Sequence, residues 1–416
     1  MRARRALAAV LLSLPLALPA AAAEPPRSGA RERAEDFDAM WHAIDAGYAY
    51  FAAGGRAAWS EARAAWRPRA VKAATRRDFL AALEGVLDTL GDDHVALSQR
   101  TPEAPRRVPA ETDVWARWKD GAAVVEAVRT FGDADVAGLK PGDVVTRVQG
   151  RAVEEAVRER AGDGADPQKR DRALRRLLAG PRFGVLRLGV RDERGARTLA
   201  IERASARPSN GAPLIARRVG DERDIGYVRL KSAGGDERLV EHLDAALRYL
   251  ADTRGLIVDL RESAGPATRS ATRAILARFA AAGTPWQIRE SRAGARATDT
   301  VPDGPPPYGA PLLVLVDRWT EGEAEALAAG LHEAAHARLV GTPSAGLRGD
   351  LRTLTLPRSR ITVRFPAERT LLLDGRPREA LRPEIPVDLA APSGGPGDPI
   401  LYQALKAFEA PRAGAR

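Results

Sequence analysis

The sequence contains no cysteine and little lysine. The absence of cysteine excludes a disulfide framework, a cysteine nucleophile and thiolate metal sites. Only six of the 65 basic residues are lysines, and they stand at positions 72, 119, 140, 169, 231 and 406. The remaining composition, with 44% hydrophobic and 29% charged residues over 416 positions, is that of a globular protein with two or three domains.

Apart from its N-terminus, the sequence has no apolar run long enough to cross a membrane. Residues 1–5 are mostly basic, an apolar stretch follows to Leu18, and four alanines precede Glu24. This three-part pattern is typical of a secretory signal peptide cleaved near Ala23. Because two prolines interrupt the stretch, we expect cleavage and release into the periplasm or outside the cell, with no membrane attachment afterwards.

The charge pattern and the motifs argue against several kinds of ligand. The net charge of +10 does not predict nucleic-acid binding, because the basic residues are interleaved with 55 acidic ones and no basic stretch carries spaced aromatic residues. No glycine-rich phosphate loop follows a strand. His332 and His336 have the i, i+4 spacing of metal ligands, but no third ligand is apparent. We therefore expect neither a cofactor nor a metal.

Three stretches with different hydrophobic patterns follow the apolar N-terminus. In residues 24–104, apolar side chains recur every three or four positions, which predicts helices. Residues 105–205 contain short segments typical of strands, with glycines and prolines between them. Residues 206–390 alternate strands and helices, which favours an α/β sandwich with parallel strand pairs. Residues 391–416 form a C-terminal tail.

Four motifs stand in a fixed order along the chain, namely AGLKPGDVV (137–145), LIVDLRESAG (256–265), PLLVLVDRWTEGEAE (311–325) and PEIPV (383–387). The first resembles a PDZ signature, and the second resembles a strand and loop of the form LILDLRNNPGG. The third resembles the strand-to-helix turn that holds a serine nucleophile, and the fourth resembles a closing PDIPV element. Together they resemble the C-terminal processing peptidases, also called tail-specific proteases, and the related tricorn core.

The resemblance implies an α/β fold in which three structural regions lie between an N-terminal signal peptide and a C-terminal tail. A signal peptide (1–23) precedes an N-terminal helical block (24–104) and a PDZ-like β-rich domain (105–205). An α/β sandwich peptidase core of the ClpP/crotonase type (206–390) and the tail follow. The family also implies the partners, which are unfolded or C-terminal peptide segments of exported proteins.

The same resemblance places the nucleophile position on a glycine. Serine peptidases of this kind attack with a hydroxyl at a turn that enters a helix, and they pair it with a lysine base or with a histidine and a carboxylate. Alignment of residues 319–325 with the family motif puts Gly322 where the serine belongs, and the lysine position falls on Leu347. Since no lysine occurs between Lys231 and Lys406, a serine–lysine dyad in this half of the core is excluded.

Parts of the histidine-dependent, tricorn-like arrangement are present. His94, in the sequence GDDH, matches the position of the base, although a surface or helix-capping histidine is an alternative interpretation. Glu379 is the candidate for the carboxylate that orients the base, but it could equally pair with a neighbouring arginine. The backbone N–H groups of Gly265 and Glu323 are the implied oxyanion hole, and Gly138 and Leu139 are the implied PDZ binding residues.

Two interpretations of the function remain open from the sequence. In the first, the chain is a serine-type peptidase homologue that binds polypeptides, while catalysis is impaired because residue 322 is glycine. In the second, it is an active tricorn-like peptidase in which His94 activates a relocated hydroxyl. Thr320 is the nearest substitute, and Ser263 and Ser344 lie on loops at the same sheet edge; capping and turn formation also explain these three hydroxyls.

Overall fold

The computed structural model describes residues 29–51, 55–202, 213–231, 238–262, 268–392 and 397–409. The predicted signal peptide, Ser263 and Gly265 lie outside these ranges. None of the helices in the described part of the chain combines the length and the apolar character needed to cross a membrane. The expected mixed α/β architecture is confirmed. A helical block lies at the N-terminus, and the strands form three sheets.

The N-terminal block contains the helices α1 (Ala30–Gly47), α2 (Gly55–Val71) and α3 (Arg76–Asp88). The apolar face predicted for α1 is buried, and Phe37, Met40 and Ile44 are each 0% exposed. Helix α3 begins after Thr75, whose hydroxyl accepts a hydrogen bond from the N–H of Asp78, as expected of a helix cap. A short strand, β1 (Ala96–Leu97), follows.

Residues 114–202, called here the middle domain, form an antiparallel sheet with its own core. Its elements are β2 (Val114–Lys119), β3 (Ala122–Val128), α4 (Asp133–Val136), β4 (Val144–Val148), β5 (Arg151–Ala152), α5 (Val153–Ala161), α6 (Pro167–Ala179), β6 (Val185–Asp192) and β7 (Gly195–Glu202). The strand order is β2-β3-β4-β6-β7, and β5 pairs with β4. Alternate residues of β3 are buried, because one face of the sheet packs against the helices.

The remaining elements are β8 (Leu214–Val219), β9 (Ile225–Leu230), α7 (Leu239–Tyr249), β10 (Gly255–Asp259), α8 (Arg269–Leu276), β11 (Pro285–Ser291), β12 (Arg296–Thr300), β13 (Leu312–Val316), α9 (Glu323–Ala335), β14 (Arg338–Gly341), β15 (Asp350–Thr355), β16 (Thr362–Leu371), a 3-10 helix (Arg378–Ala380), β17 (Ile385–Pro386) and α10 (Pro399–Glu409). Six of these strands form a sheet in the order β17-β14-β13-β10-β9-β8, parallel except for β8. Every residue of β10 and β13 is buried, since helices cover both faces of the sheet.

A second, antiparallel sheet links the core to the helical block. It contains β11, β12, β15 and β16, and β1 is added at the edge of β16. Phe365 and Ile361 are fully buried against α1 and α3, so the helical block and this sheet share one hydrophobic core. The helical block therefore depends on residues more than 250 positions away for its burial, which its sequence pattern alone does not reveal.

Candidate functional site at the start of helix α9

The turn between β13 and α9 presents an open position at Gly322. Gly322 is the N-cap of α9 and has φ 57° and ψ −117°, a backbone conformation that favours glycine. A Cβ placed on Gly322 would meet no heavy atom within 4 Å. The N–H of Glu323, the first residue of the helix, lacks an intrahelical partner by its position. The turn thus has the free space and the helix N-terminus that the resemblance expects, without the hydroxyl.

Thr320 holds this turn against the neighbouring strand. Its side chain is fully buried. The hydroxyl accepts a hydrogen bond from the N–H of Asp317 at 2.9 Å and donates to the carbonyl of Leu260, at the end of β10, at 3.1 Å. Since both functions of the hydroxyl are used inside the protein, the structure gives Thr320 a structural role. Burial raises the pKa of the adjacent Asp317 carboxyl to about 6.

Glu325 is a buried carboxylate beneath the turn. It connects the first turn of α9 to the loop that follows β14. Its two oxygens accept hydrogen bonds from the Gly322 N–H (3.2 Å), the Ser344 hydroxyl (2.7 Å), the Gly346 N–H (2.7 Å) and the Leu347 N–H (3.1 Å). Burial raises the pKa of Glu325, and the nearby Arg378 guanidinium opposes that rise. The Ser344 hydroxyl therefore donates its proton to a hydrogen bond with Glu325.

His94 contacts the loop after β14 at Arg348, next to the residues that bind Glu325. Its backbone N–H donates to Asp92 at 2.9 Å, and its Nδ1 lies 2.5 Å from the carbonyl oxygen of Arg348. Because a carbonyl only accepts, Nδ1 carries the proton, which leaves Nε2 as the acceptor of the neutral ring. Burial lowers the pKa of His94, so the ring is neutral at pH 7. This is the tautomer that a general base at this position requires.

Glu379 lies in the 3-10 helix, which packs near Gly346 of the same loop. Its backbone oxygen lies 4.0 Å from the position that a Cβ on Gly346 would occupy. Its Oε2 atom is buried and has no hydrogen-bond partner in the described part of the chain. Burial and the Glu379 charge raise the pKa of Tyr50. The loop of residues 346–349 therefore brings His94, Glu325 and Glu379 into one neighbourhood, although they come from distant parts of the sequence.

Gly138 and Leu139 lie in the middle domain with a different role from the one expected. The N–H of Gly138 donates to the carbonyl of Asp135 at 2.9 Å, and the N–H of Leu139 donates to Ala134 at 3.0 Å. The Leu139 side chain is 0% exposed in the core of this domain. Both residues close helix α4, so these two N–H groups are occupied within the fold and are not offered to a peptide carboxylate.

Residues that the sequence analysis did not single out join the turn to the middle domain. The indole N–H of Trp319 donates to the carbonyl of Thr112 at 2.7 Å, and the Arg318 guanidinium donates to Glu126 at 2.8 Å. The Arg129 guanidinium lies 5.2 Å from the centre of the Trp319 ring. These side chains attach the nucleophile turn to the neighbouring domain.

Glu321 is another residue that the sequence analysis missed. It precedes Gly322 and is partly buried. Burial and the charge of Glu325 raise the pKa of Glu321 to about 7, although Arg129 and Arg107 oppose this. The sequence places Glu325 four residues away, but the burial that raises the pKa most exists only in the folded chain.

His332 and His336 have ordinary structural surroundings. The Nδ1 of His332 lies 2.9 Å from a carboxylate oxygen of Glu384, which raises the pKa of His332. His336 ends α9 in the left-handed conformation, with φ 55°. Within the described ranges, no group of three or more His, Asp and Glu side chains has an arrangement that could hold a metal ion.

Comparison with known proteins identifies the family of the core. Residues 224–387 match the model of peptidase family S41, and residues 30–87 match the model of the tricorn protease C1 domain. The chain is similar in structure to a photosystem II D1 C-terminal processing protease (TM-score 0.54, 18% identity, 86% of this chain and 94% of that chain). It is also similar to mature CPAF (TM-score 0.58, 13% identity, 91% and 95%). A lipoprotein from Streptococcus agalactiae is a third similar structure (TM-score 0.52, 11% identity, 94% and 99%).

At these identities the likeness between structures establishes the fold, and the family model identifies the core that carries the Gly322 turn. The match of residues 224–387 includes β10, β13, α9 and the loop that binds Glu325 and His94. Residues 224–387 therefore match peptidase family S41, and the fold of the chain is that of the solved C-terminal processing proteases.

Proposed function

We propose that this protein is an exported S41 homologue that binds polypeptide segments and lacks serine-dependent catalysis. The observation that carries the proposal is Gly322, which occupies the nucleophile position in an otherwise complete turn. Loss of the nucleophile from a serine peptidase lowers turnover by roughly a million-fold. The neutral His94 ring and the free helix N-terminus do not replace the missing oxygen.

The alternative, in which a relocated hydroxyl acts as nucleophile, receives no support from the two described candidates. The Thr320 hydroxyl is buried and bonded on both sides. The Ser344 hydroxyl donates to the buried Glu325 carboxylate at 2.7 Å. A nucleophile must sit within about an ångström of its productive position, and both hydroxyls are held elsewhere by hydrogen bonds.

Binding of peptides does not need residue 322. The resemblance of residues 137–145 to a PDZ signature supports a PDZ-like role for the middle domain, in which a peptide is added to the sheet as an extra strand. Because the N–H groups of Gly138 and Leu139 are bonded within the fold, they do not hold the peptide carboxylate in this proposal. Phe131 and Val136 are 89% and 81% exposed on this domain, and such exposed apolar side chains fit an apolar peptide. The ligands in this proposal are unfolded or C-terminal segments of other exported proteins.

Export is supported by the pattern of residues 1–23, with a basic start, an apolar stretch and an alanine-rich end. We propose release into the periplasm or the medium after cleavage near Ala23. N-terminal sequencing of protein secreted by a bacterial host tests this: Glu24 is the expected first residue, and retention of Met1 would contradict it.

To test the function, purified protein of residues 24–416 is incubated with an unfolded polypeptide, and mass spectrometry detects any cleavage products. Wild type should be inert, and Gly322→Ser should gain turnover. Gly322→Ala is the matched control, because it introduces the same left-handed strain, about 1–3 kcal/mol, without a hydroxyl. Adding His94→Ala to Gly322→Ser should abolish the gain.

Cleavage by wild type that disappears in His94→Ala would contradict the proposal and establish the relocated-hydroxyl alternative. Peptide binding is measured separately, by fluorescence anisotropy of a labelled unfolded peptide with wild type and with Phe131→Ser. If the peptide shows no affinity for wild type, the binding function is rejected even when catalysis is absent.

A further inference from the structure

A cavity of about 230 Å³ lies where the helical block meets the middle domain. Its walls come from α3, from residues 92–108, and from α5 and α6. It is separate from the Gly322 turn, and no feature of the S41 core contributes to its lining. Five arginines line it, at positions 100, 107, 160, 172 and 176.

The carboxylates of this cavity already have partners. Glu84 accepts hydrogen bonds from the N–H and the hydroxyl of Thr101, at 2.7 and 2.8 Å. Asp88 and Asp93 accept from Arg172 at 3.0 and 3.1 Å. The guanidiniums of Arg176 and Arg172 outweigh burial and hold the pKa of Asp88 at about 2, so this carboxylate stays ionised.

The unused hydrogen-bonding groups of the cavity are donors. Arg160 makes no ion pair or hydrogen bond within the described ranges, although it faces the same cavity as Arg172 and Arg176. The Nε of Arg176 is buried without a hydrogen-bond partner, and Asp93 is 3.9 Å from it. Desolvation and the charges of Arg176 and Arg172 lower the pKa of Arg160, although Asp88 and Asp93 oppose this. The cavity therefore has N–H donors without a protein acceptor on the exposed Arg160 side chain and at the buried Nε of Arg176.

One wall of the cavity is apolar. Leu87, Val95, Leu97 and Val108 line it beside the arginines. A site that joins an apolar wall to the unpaired Arg160 guanidinium and to the free Nε of Arg176 fits a molecule with an anionic end and a short apolar body, since guanidinium N–H groups bind carboxylate and phosphate oxygens.

We propose that this cavity binds a small organic anion, with its carboxylate or phosphate group on Arg160 and Arg176 and its apolar part against Leu87 and Leu97. The ligand would join the helical block to the middle domain. Asp92 and Asp93 also line the cavity, and Asp92 holds the backbone of His94. A bound ligand would thus stabilise the segment that carries His94.

The test is calorimetric titration of residues 24–416 with three probes of equal chain length: hexanoate, hexyl phosphate and neutral hexanamide. Hexanoate or hexyl phosphate should bind and raise the melting temperature, since a ligand of the folded state stabilises it, and hexanamide should not bind. Which of the two anions binds more tightly distinguishes a carboxylate ligand from a phosphate ligand. Equal binding of hexanamide, or no binding of either anion, would overturn the proposal.

Arg160→Gln should weaken anion binding about tenfold, because a charge-assisted hydrogen bond is lost. Arg158→Gln is the matched control, since Arg158 is on the same helix but does not line the cavity. Without ligand, Arg160→Gln should melt at the wild-type temperature, because Arg160 has no partner to lose. Unchanged affinity in Arg160→Gln, or an equal loss in Arg158→Gln, would contradict the assignment.

Discussion

On the α9 side of the candidate site, the buried polar groups of Thr320 and Glu325 are paired, whereas on the His94 side the Oε2 of Glu379 has no partner among the described residues. The paired side comes from segments of the core that meet along the parallel sheet. The unpaired side is assembled from the N-terminal block and a distant 3-10 helix. Because His94 itself is bonded to Asp92 and to the Arg348 carbonyl, the difference lies in Glu379, and we expect the structure to depend less on the Glu379 carboxylate than on that of Glu325.

Replacement of Glu325 should break this comparison most strongly. Glu325→Leu leaves four donors without their acceptor, and each buried unpaired group costs about 1–3 kcal/mol, so a loss of at least about 3 kcal/mol of unfolding free energy is expected. Urea denaturation followed by tryptophan fluorescence measures it. Glu323→Gln, in the same first turn of α9, is the control, and we expect it to change the unfolding free energy only slightly. A loss below about 1 kcal/mol for Glu325→Leu would show that the network does not stabilise the turn.

The pH dependence of stability should reveal Glu321. Its folded pKa of about 7 lies above the unfolded value near 4.5, so the folded state holds a proton that the unfolded state has released. Stability therefore falls as pH rises from about 4.5 to 7, by an amount on the order of 1–3 kcal/mol. Glu321→Gln should make this dependence less steep, while the part that comes from the raised pKa of Asp317 remains. Melting temperatures of both proteins across this range decide it, and parallel pH profiles would refute the assignment.

Thr320→Val should destabilise the protein by about 1–2 kcal/mol, because the Asp317 N–H and the Leu260 carbonyl lose a shared partner. Thr320→Ser keeps the hydroxyl and should recover most of the stability. The midpoint of urea unfolding separates the three proteins. If Thr320→Ser were as unstable as Thr320→Val, the methyl group and its packing would be responsible.

Glu379→Gln should have the smallest effect, within about 1 kcal/mol of wild type, since the atom that changes has no hydrogen bond to lose. The same urea midpoint measures it, and Glu325→Gln provides the contrast on the paired side. A loss for Glu379→Gln as large as that for Glu325→Gln would mean that both sides are equally constrained, and the comparison would fail.

The elements with a clear hydrophobic pattern could be predicted from the sequence. Strands β10 and β13 and helix α9 lie in the stretch 206–390 that is predicted to alternate strands and helices, because a run of buried aliphatic residues has few alternatives. Two helices of the middle domain, α5 and α6, were missed. Charged residues dominate α6, and only Ala173, Leu174 and Leu178 with Ala179 are buried.

Strands β11 and β12 could not be predicted, because their pattern is polar. The guanidinium of Arg289 lies 3.2 Å from the carboxylate of Asp299, diagonally across the two strands, and Arg269 also pairs with Asp299. Such ion pairs satisfy charges that in isolation indicate a loop. Their stabilisation depends on a neighbour that the local sequence does not contain.

The sequence by itself excluded a serine–lysine dyad in this half of the core, because no lysine occurs between Lys231 and Lys406. It also indicated the family and the order of the parts. Only the tertiary structure decided that Thr320 and Ser344 are held by hydrogen bonds and that His94 is a neutral ring with its proton on Nδ1. His94 and its partner Arg348 are 254 positions apart, and a contact over that separation exists only once the chain has folded.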